Sequence, residues 1–233
     1  MQRVFEKAHA RLGPALDEPG SVPPQVLKCV LDEAQFADDE LRAEYLGGVL
    51  ASSRSPIGRD DRAASMAHLV ASLSTYALRA HYVFYATVQR SNTGRGADAW
   101  RASHDGDRRM YMTLDDFVQA MAFDEQELRN FAGIIADTML SLERNGLVSS
   151  WLRGSPAFLA ENIVEHAFPA DGIVFNPTQH GILLFCAGHG VRTDPYEAFA
   201  GQRLELCVNI PPTIPVGVLV SNLPQRRSAD DSR

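Results

Sequence analysis

The chain predicts a mainly α protein in two parts. A helical bundle is expected over residues 1–90, and a smaller α+β domain over 113–223, joined by a linker at 91–112. Three observations carry that expectation. Apolar residues recur at helical spacing in successive stretches before residue 90. Residues 89–110 (QRSNTGRGADAWRASHDGDRRM) break every period and are rich in glycine and charge. Beyond them, helical patterns alternate with two short strand-like runs, LVSSWL at 147–152 and IVF at 173–175.

Residues 1–12 read as a short helix through Val4, Phe5 and Leu12, closed by Gly13 and Pro14, with GPALDEPG (13–20) as a connector. Two further helices occupy 21–52. Ser21 stands as a cap, and Pro23 and Pro24 suit a first turn whose N–H groups have no helical partner. Val26, Leu27, Val30, Leu31 and Ala34 make the apolar face. Asp38 and Asp39 cap the second helix, where Leu41, Tyr45, Leu46, Val49 and Leu50 face inward. Gly47 and Gly48 each cost a helix about 1 kcal/mol against alanine, so a neighbour is expected to pack close there. Asp60 and Asp61 then cap one long helix over 60–88, with Met66, Leu69, Val70, Leu73, Ala77, Ala80 and Phe84 on a single stripe.

The second part opens with Thr113 as a cap, followed by Asp124 with Glu127 at the capping-box spacing. Leu128, Phe131, Ile134, Ile135, Met139 and Leu142 give an amphipathic helix that Asn145-Gly146 stops. A strand, a short helix after Ser155-Pro156, a second strand and a Thr178-capped helix follow. Asp194-Pro195 starts a turn of helix. Arg203 to Val208 alternates as a strand does, and Pro215 to Val220 is its expected partner. Residues 224–233 (PQRRSADDSR) read as a disordered tail.

LERNGLV (142–148) and IVFNPTQHGILLF (173–185) together resemble the end of a winged helix. There a long helix closes on a glycine turn, a two-stranded wing follows, and a capped helix ends the unit; the insert at 153–171 is longer than usual. The stretch PPQVLKCVLDEAQFADDELRAEYLGGVLAS (23–52) resembles the Abi-alpha family of bacterial proteins, named for abortive phage infection, and NPTQHGILLFC (176–186) echoes that family's closing helix. The resemblance implies a phage-defence setting and carries over no catalytic residue.

Composition narrows the function. A net charge of −7 argues against a protein that chiefly grips phosphates. The acidity is concentrated late: residues 111–233 hold 8 Lys and Arg against 15 Asp and Glu. Cys29, Cys186 and Cys207 are unclustered among apolar neighbours, which reads as buried thiols in a reducing compartment, so the expected location is the cytoplasm. No membrane span and no signal peptide are expected. No Walker loop, nucleophile elbow or dinucleotide fingerprint follows a strand. His180, Cys186 and His189 do not complete a four-ligand metal site. No catalytic residue, metal or cofactor is therefore assigned.

The one segment singled out for interaction is the basic stretch with Arg95, Trp100, Arg101, Arg108 and Arg109, where a tryptophan anchor stands among cations. The bland alternative is a solvated linker. The expectation is a non-enzymatic interaction or regulatory module with a protein partner or a homo-oligomeric state. A DNA-binding regulator is the first alternative, and an enzyme with an unrecognised site the second.

Overall fold

The computed structural model describes residues 1–37, 39–57, 59–91, 95–101, 108–201 and 203–226. The first part runs α1 (Gln2–Leu12), α2 (Pro24–Ala34), α3 (Glu40–Ser52), α4 (Ala63–Ser72) and α5 (Thr75–Ser91). The remainder runs α6 (Asp98–Arg101), β1 (Met110–Thr113), α7 (Leu114–Met121), α8 (Glu125–Arg129), α9 (Phe131–Arg144), β2 (Val148–Gly154), α10 (Pro156–Asn162), β3 (Gly172–Pro177), α11 (Gln179–Gly188), α12 (Pro195–Gly201) and β4 (Val218–Leu219). The fold is mainly helical with one small antiparallel sheet, in the order β2-β3-β1-β4. Asp38, Asp105, Asp107 and the tail residues 227–233 lie outside the described residues.

The caps form largely where the residue types place them. Asp39 accepts from the Arg42 N–H, Thr113 from Asp116 and Thr178 from Gly181. Asp124 and Glu127 make a reciprocal capping box. Ser21 is not a cap: it bridges in antiparallel fashion to Ser55, and Pro23 precedes the helix.

The expected long helix at 60–88 is two helices. Leu73 is extended between them, and the Ser74 hydroxyl accepts from the Ala77 N–H to start α5. The carbonyls left open at the end of α4 are taken by one side chain. Arg42 donates from Nη1 to Val70 O at 2.8 Å and from Nη2 to Leu73 O at 2.7 Å.

Gly47 and Gly48 have the close neighbours their positions require. A Cβ on Gly47 would stand 2.6 Å from the Lys7 Cβ, and one on Gly48 would overlap the Gly188 carbonyl. Thus α1 and α11 seat against neighbouring residues of α3, on different faces of one turn. Beside that contact Glu44 is fully buried and takes Arg11 and Lys7 as its cations, the latter at 3.3 Å.

Helix α5 joins the two parts. Nearly every residue from Ala77 to Gln89 is buried. Phe84 stacks on Phe175 of β3 at 4.1 Å and meets Phe117 of α7 at 5.6 Å. The Tyr85 hydroxyl donates to Leu147 O at 2.5 Å and accepts from the Thr178 N–H at 2.8 Å. A single cluster of buried side chains accordingly runs from Val4 to Leu219.

The expected strand at 203–208 does not form, and the 215–220 run contributes only the two residues of β4, paired to β1. Strand β1 itself falls at the end of the stretch read as linker.

Candidate functional site

Three groups of residues compete for a functional role. The first is the basic segment. Trp100 is 2% exposed and sets its ring edge-on to Phe199, with centroids 5.3 Å apart. Arg108 is also buried, stands over that ring and donates from Nη2 to Ala99 O at 2.7 Å. Arg101 meets Asp194 at 2.9 Å, Asp98 at 3.1 Å and Glu197 at 3.5 Å. Arg95 and Arg109 are half-buried, and the Arg109 carbonyl accepts from the Val220 N–H. The segment is fastened to α11 and α12, with its tryptophan directed inward.

The second group is histidine and cysteine. His180 is exposed, while Cys186 and His189 are buried. The Cys186 thiol donates to Pro195 O at 3.3 Å, and burial pushes its pKa well above the ordinary thiol range. His189 donates from Nδ1 to Phe185 O at 2.7 Å, and its buried Nε2 has no hydrogen-bond partner among the described residues. His81 donates from Nε2 to Gly181 O and accepts at Nδ1 from the Tyr45 hydroxyl, at 3.1 and 3.0 Å. Burial lowers both rings to about 3, so each stays neutral.

Among the described residues no three His, Cys, Asp or Glu side chains gather to hold a metal. One pair escaped the sequence because its members lie 39 residues apart: Cys29 Sγ is 3.1 Å from His68 Nε2. Nucleophilic catalysis needs more, a carboxylate to orient the imidazole and a cleft to seat the substrate. No carboxylate bonds His68 among the described contacts, and neither residue lines the cleft beside Asp60 and Arg62.

That cleft, about 250 Å³, lies between α3, α4 and α11. Its lining includes Met66, Leu183 and Val191, with Asp60 and Arg62 also at the site. Arg62 forks onto Asp60 with two bonds of 2.7 Å, and the Ser52 and Ser53 hydroxyls donate to carbonyls of their own helix. It offers shape and no activated group.

The third group is the outward face of α9. Ile135, Thr138, Met139, Ser141 and Leu142 are buried, so the helix presents Gly133, Asp137, Leu140 and Arg144 to solvent. Leu140 is 56% exposed and Leu128 just before the helix is 45% exposed. Sequence periodicity places Leu128 in the core on one helix with Phe131; the chain instead breaks at Asn130 between α8 and α9, and Leu128 in α8 is exposed. Leu140 was the residue missed, although it stands three after Asp137 and four before Arg144, on the charged side of the wheel. Along the neighbouring β2, Trp151 donates from Nε1 to Glu143 at 3.2 Å and Arg153 lies over the Phe131 ring. Residues 113–154 hold seven acidic side chains against three arginines and no lysine.

Of the thiols, Cys29 and Cys186 are buried as expected and Cys207 is exposed. No helix among the described residues is long and apolar enough to cross a membrane. No family model, curated protein or solved structure matches the chain.

Proposed function

We propose that this chain is a non-enzymatic protein-interaction or regulatory module, a helical bundle carrying a winged-helix-like unit, and that the outward face of α9 is its docking surface. The observation that carries the reading is Leu140. It is a large apolar side chain exposed in the second half of α9, between the charged Asp137 and Arg144 on the same face, with Leu128 exposed just before the helix. The chain order α5, β1, α7 to α9, β2, β3, with β3 lying between β2 and β1, supports the winged-helix reading.

That same order favours a second reading, duplex DNA binding, because a winged helix commonly lays its third helix in the major groove. The charge is against it. Seven acids and three arginines over residues 113–154 would repel the phosphate backbone that supplies most of the affinity. The phage-defence setting rests on the resemblance of residues 23–52, and a phage challenge of the source cells with and without the gene tests it.

Two measurements separate the readings of α9. Cross-linking in the source cells is expected to trap a protein through α9, and Leu140→Glu to abolish that product while leaving the helical circular dichroism unchanged. Retardation of duplex DNA that weakens steeply with salt, and survives Leu140→Glu, would replace the protein-docking reading with the DNA one.

A further inference from the structure

We infer that the partner seated on the α9 face is a second copy of this chain, packed antiparallel about Leu140; this rests on the reading of α9 as the docking surface. At 100° per residue, Gly133, Asp137, Leu140 and Arg144 fall within an arc of about 60°, opposite the buried row of Ile135, Thr138, Met139 and Leu142. Asp137 and Arg144 are both exposed, and among the described residues neither forms an ion pair. They cannot pair within one helix, because seven residues separate them by about 10 Å along the axis.

A second helix running the opposite way removes that separation. With a two-fold axis passing beside Leu140, Asp137 of each chain comes opposite Arg144 of the other, and the two leucines meet between the pairs. The arrangement is isologous, as a closed dimer requires, and makes each ion pair twice. A parallel arrangement in register would set aspartate against aspartate and arginine against arginine. Antiparallel packing also opposes the two helix dipoles favourably.

Close approach is open at one end. Among the described residues nothing lies within 4 Å of where a Cβ on Gly133 would stand, and Ala136 follows one turn later. The other charges near the face are already engaged: Arg129 pairs with Glu125 at 3.5 Å, and Glu143 accepts from Trp151. Two helices of 14 residues touch over about 20 Å, towards the small end of specific interfaces. The dimer is therefore reversible and sensitive to salt.

Sedimentation velocity of the full chain over a wide concentration range at low salt tests the inference. The expected result is a monomer–dimer equilibrium that Leu140→Glu abolishes. Asp137→Arg and Arg144→Asp should each weaken it by about tenfold or more, since two attractions become two repulsions per dimer. Mixing those two variants should restore association, because arginine at 137 of one chain then faces aspartate at 144 of the other.

A wild-type chain that stays monomeric throughout, or a dimer indifferent to both reversals and to mixing, would overturn the inference. The docking reading fails separately. If the chain is monomeric but Leu140→Glu still removes a cross-linked partner of different mass, the second copy is excluded and the α9 surface stands.

Discussion

His81 and His189 are held neutral inside the protein, and that couples stability to pH. Burial lowers both to about 3, whereas an unfolded histidine titrates near 6.5. Below about pH 6.5 the unfolded chain takes up protons that the folded chain refuses, so the stability contributed by the neutral rings is lost as pH falls towards 3. Each ring contributes a slope of about 1.4 kcal/mol per pH unit in that window. Urea midpoints measured between pH 7.5 and 5 should fall accordingly, and a flat profile would show that the rings titrate normally. Both histidines could be recognised in the sequence as helical, but their partners could not: His81 reaches Gly181, 100 residues away. Trp100 poses the same difficulty. A tryptophan among arginines reads as a surface anchor until Phe199 is seen against its ring. Composition gives the chemistry of a segment without the direction in which its side chains point.

At the scale of elements, the helix caps were legible because capping is local: Asp39, Thr113, Asp124 and Thr178 act on N–H groups two or three residues ahead. The division between α4 and α5 was not, since the periodic stripe continues across Leu73 and the deciding contact comes from Arg42 on another helix. The alternating run at 203–208 failed as a strand for a related reason. Its N–H groups are taken by side chains of the helical part: Leu204 donates to Gln89, Cys207 to Glu44 and, just beyond, Asn209 to Glu40. With those donors satisfied, no ladder is needed to pair them.

Glycine positions sharpen the contrast between local and tertiary effects. Gly48→Ala places a methyl on the Gly188 carbonyl of α11, and overpacking of this kind typically costs 1–3 kcal/mol, about as much as or more than the helix propensity gained. Gly133→Ala, on the open face of α9, should gain about 1 kcal/mol instead. Thermal unfolding of the two variants at low concentration is expected to move the midpoint in opposite directions. A stabilised Gly48→Ala would mean that α3 and α11 do not meet as described.

For the whole molecule, the decisive element is α5. Composition and periodicity divide the chain at 91–112, and the glycine-rich run there reads naturally as a junction. Yet α5 presents His81 to Tyr45 and Gly181 on one level, Phe84 to Phe117 and Phe175 on another, and Tyr85 to the Leu147 carbonyl on a third. Strand β1, inside the glycine-rich stretch's closing residues, is the centre of the sheet rather than its approach, hydrogen-bonded to β3 on one side and β4 on the other. Removing residues 1–90 would therefore strip α7, β3 and α11 of the helix they pack on, and would expose the Phe117, Phe175 and Phe185 rings together. The consequence is cooperative unfolding. Trp100 and Trp151 report on the segment beside α12 and on β2, while far-ultraviolet circular dichroism sums the helices of both parts, about half of them in the first. Fluorescence and circular dichroism should trace one coincident urea transition, as a single shared core demands. Two separated transitions, with the helical signal surviving after the tryptophan signal is lost, would show that the packing around α5 is too weak to couple the two parts.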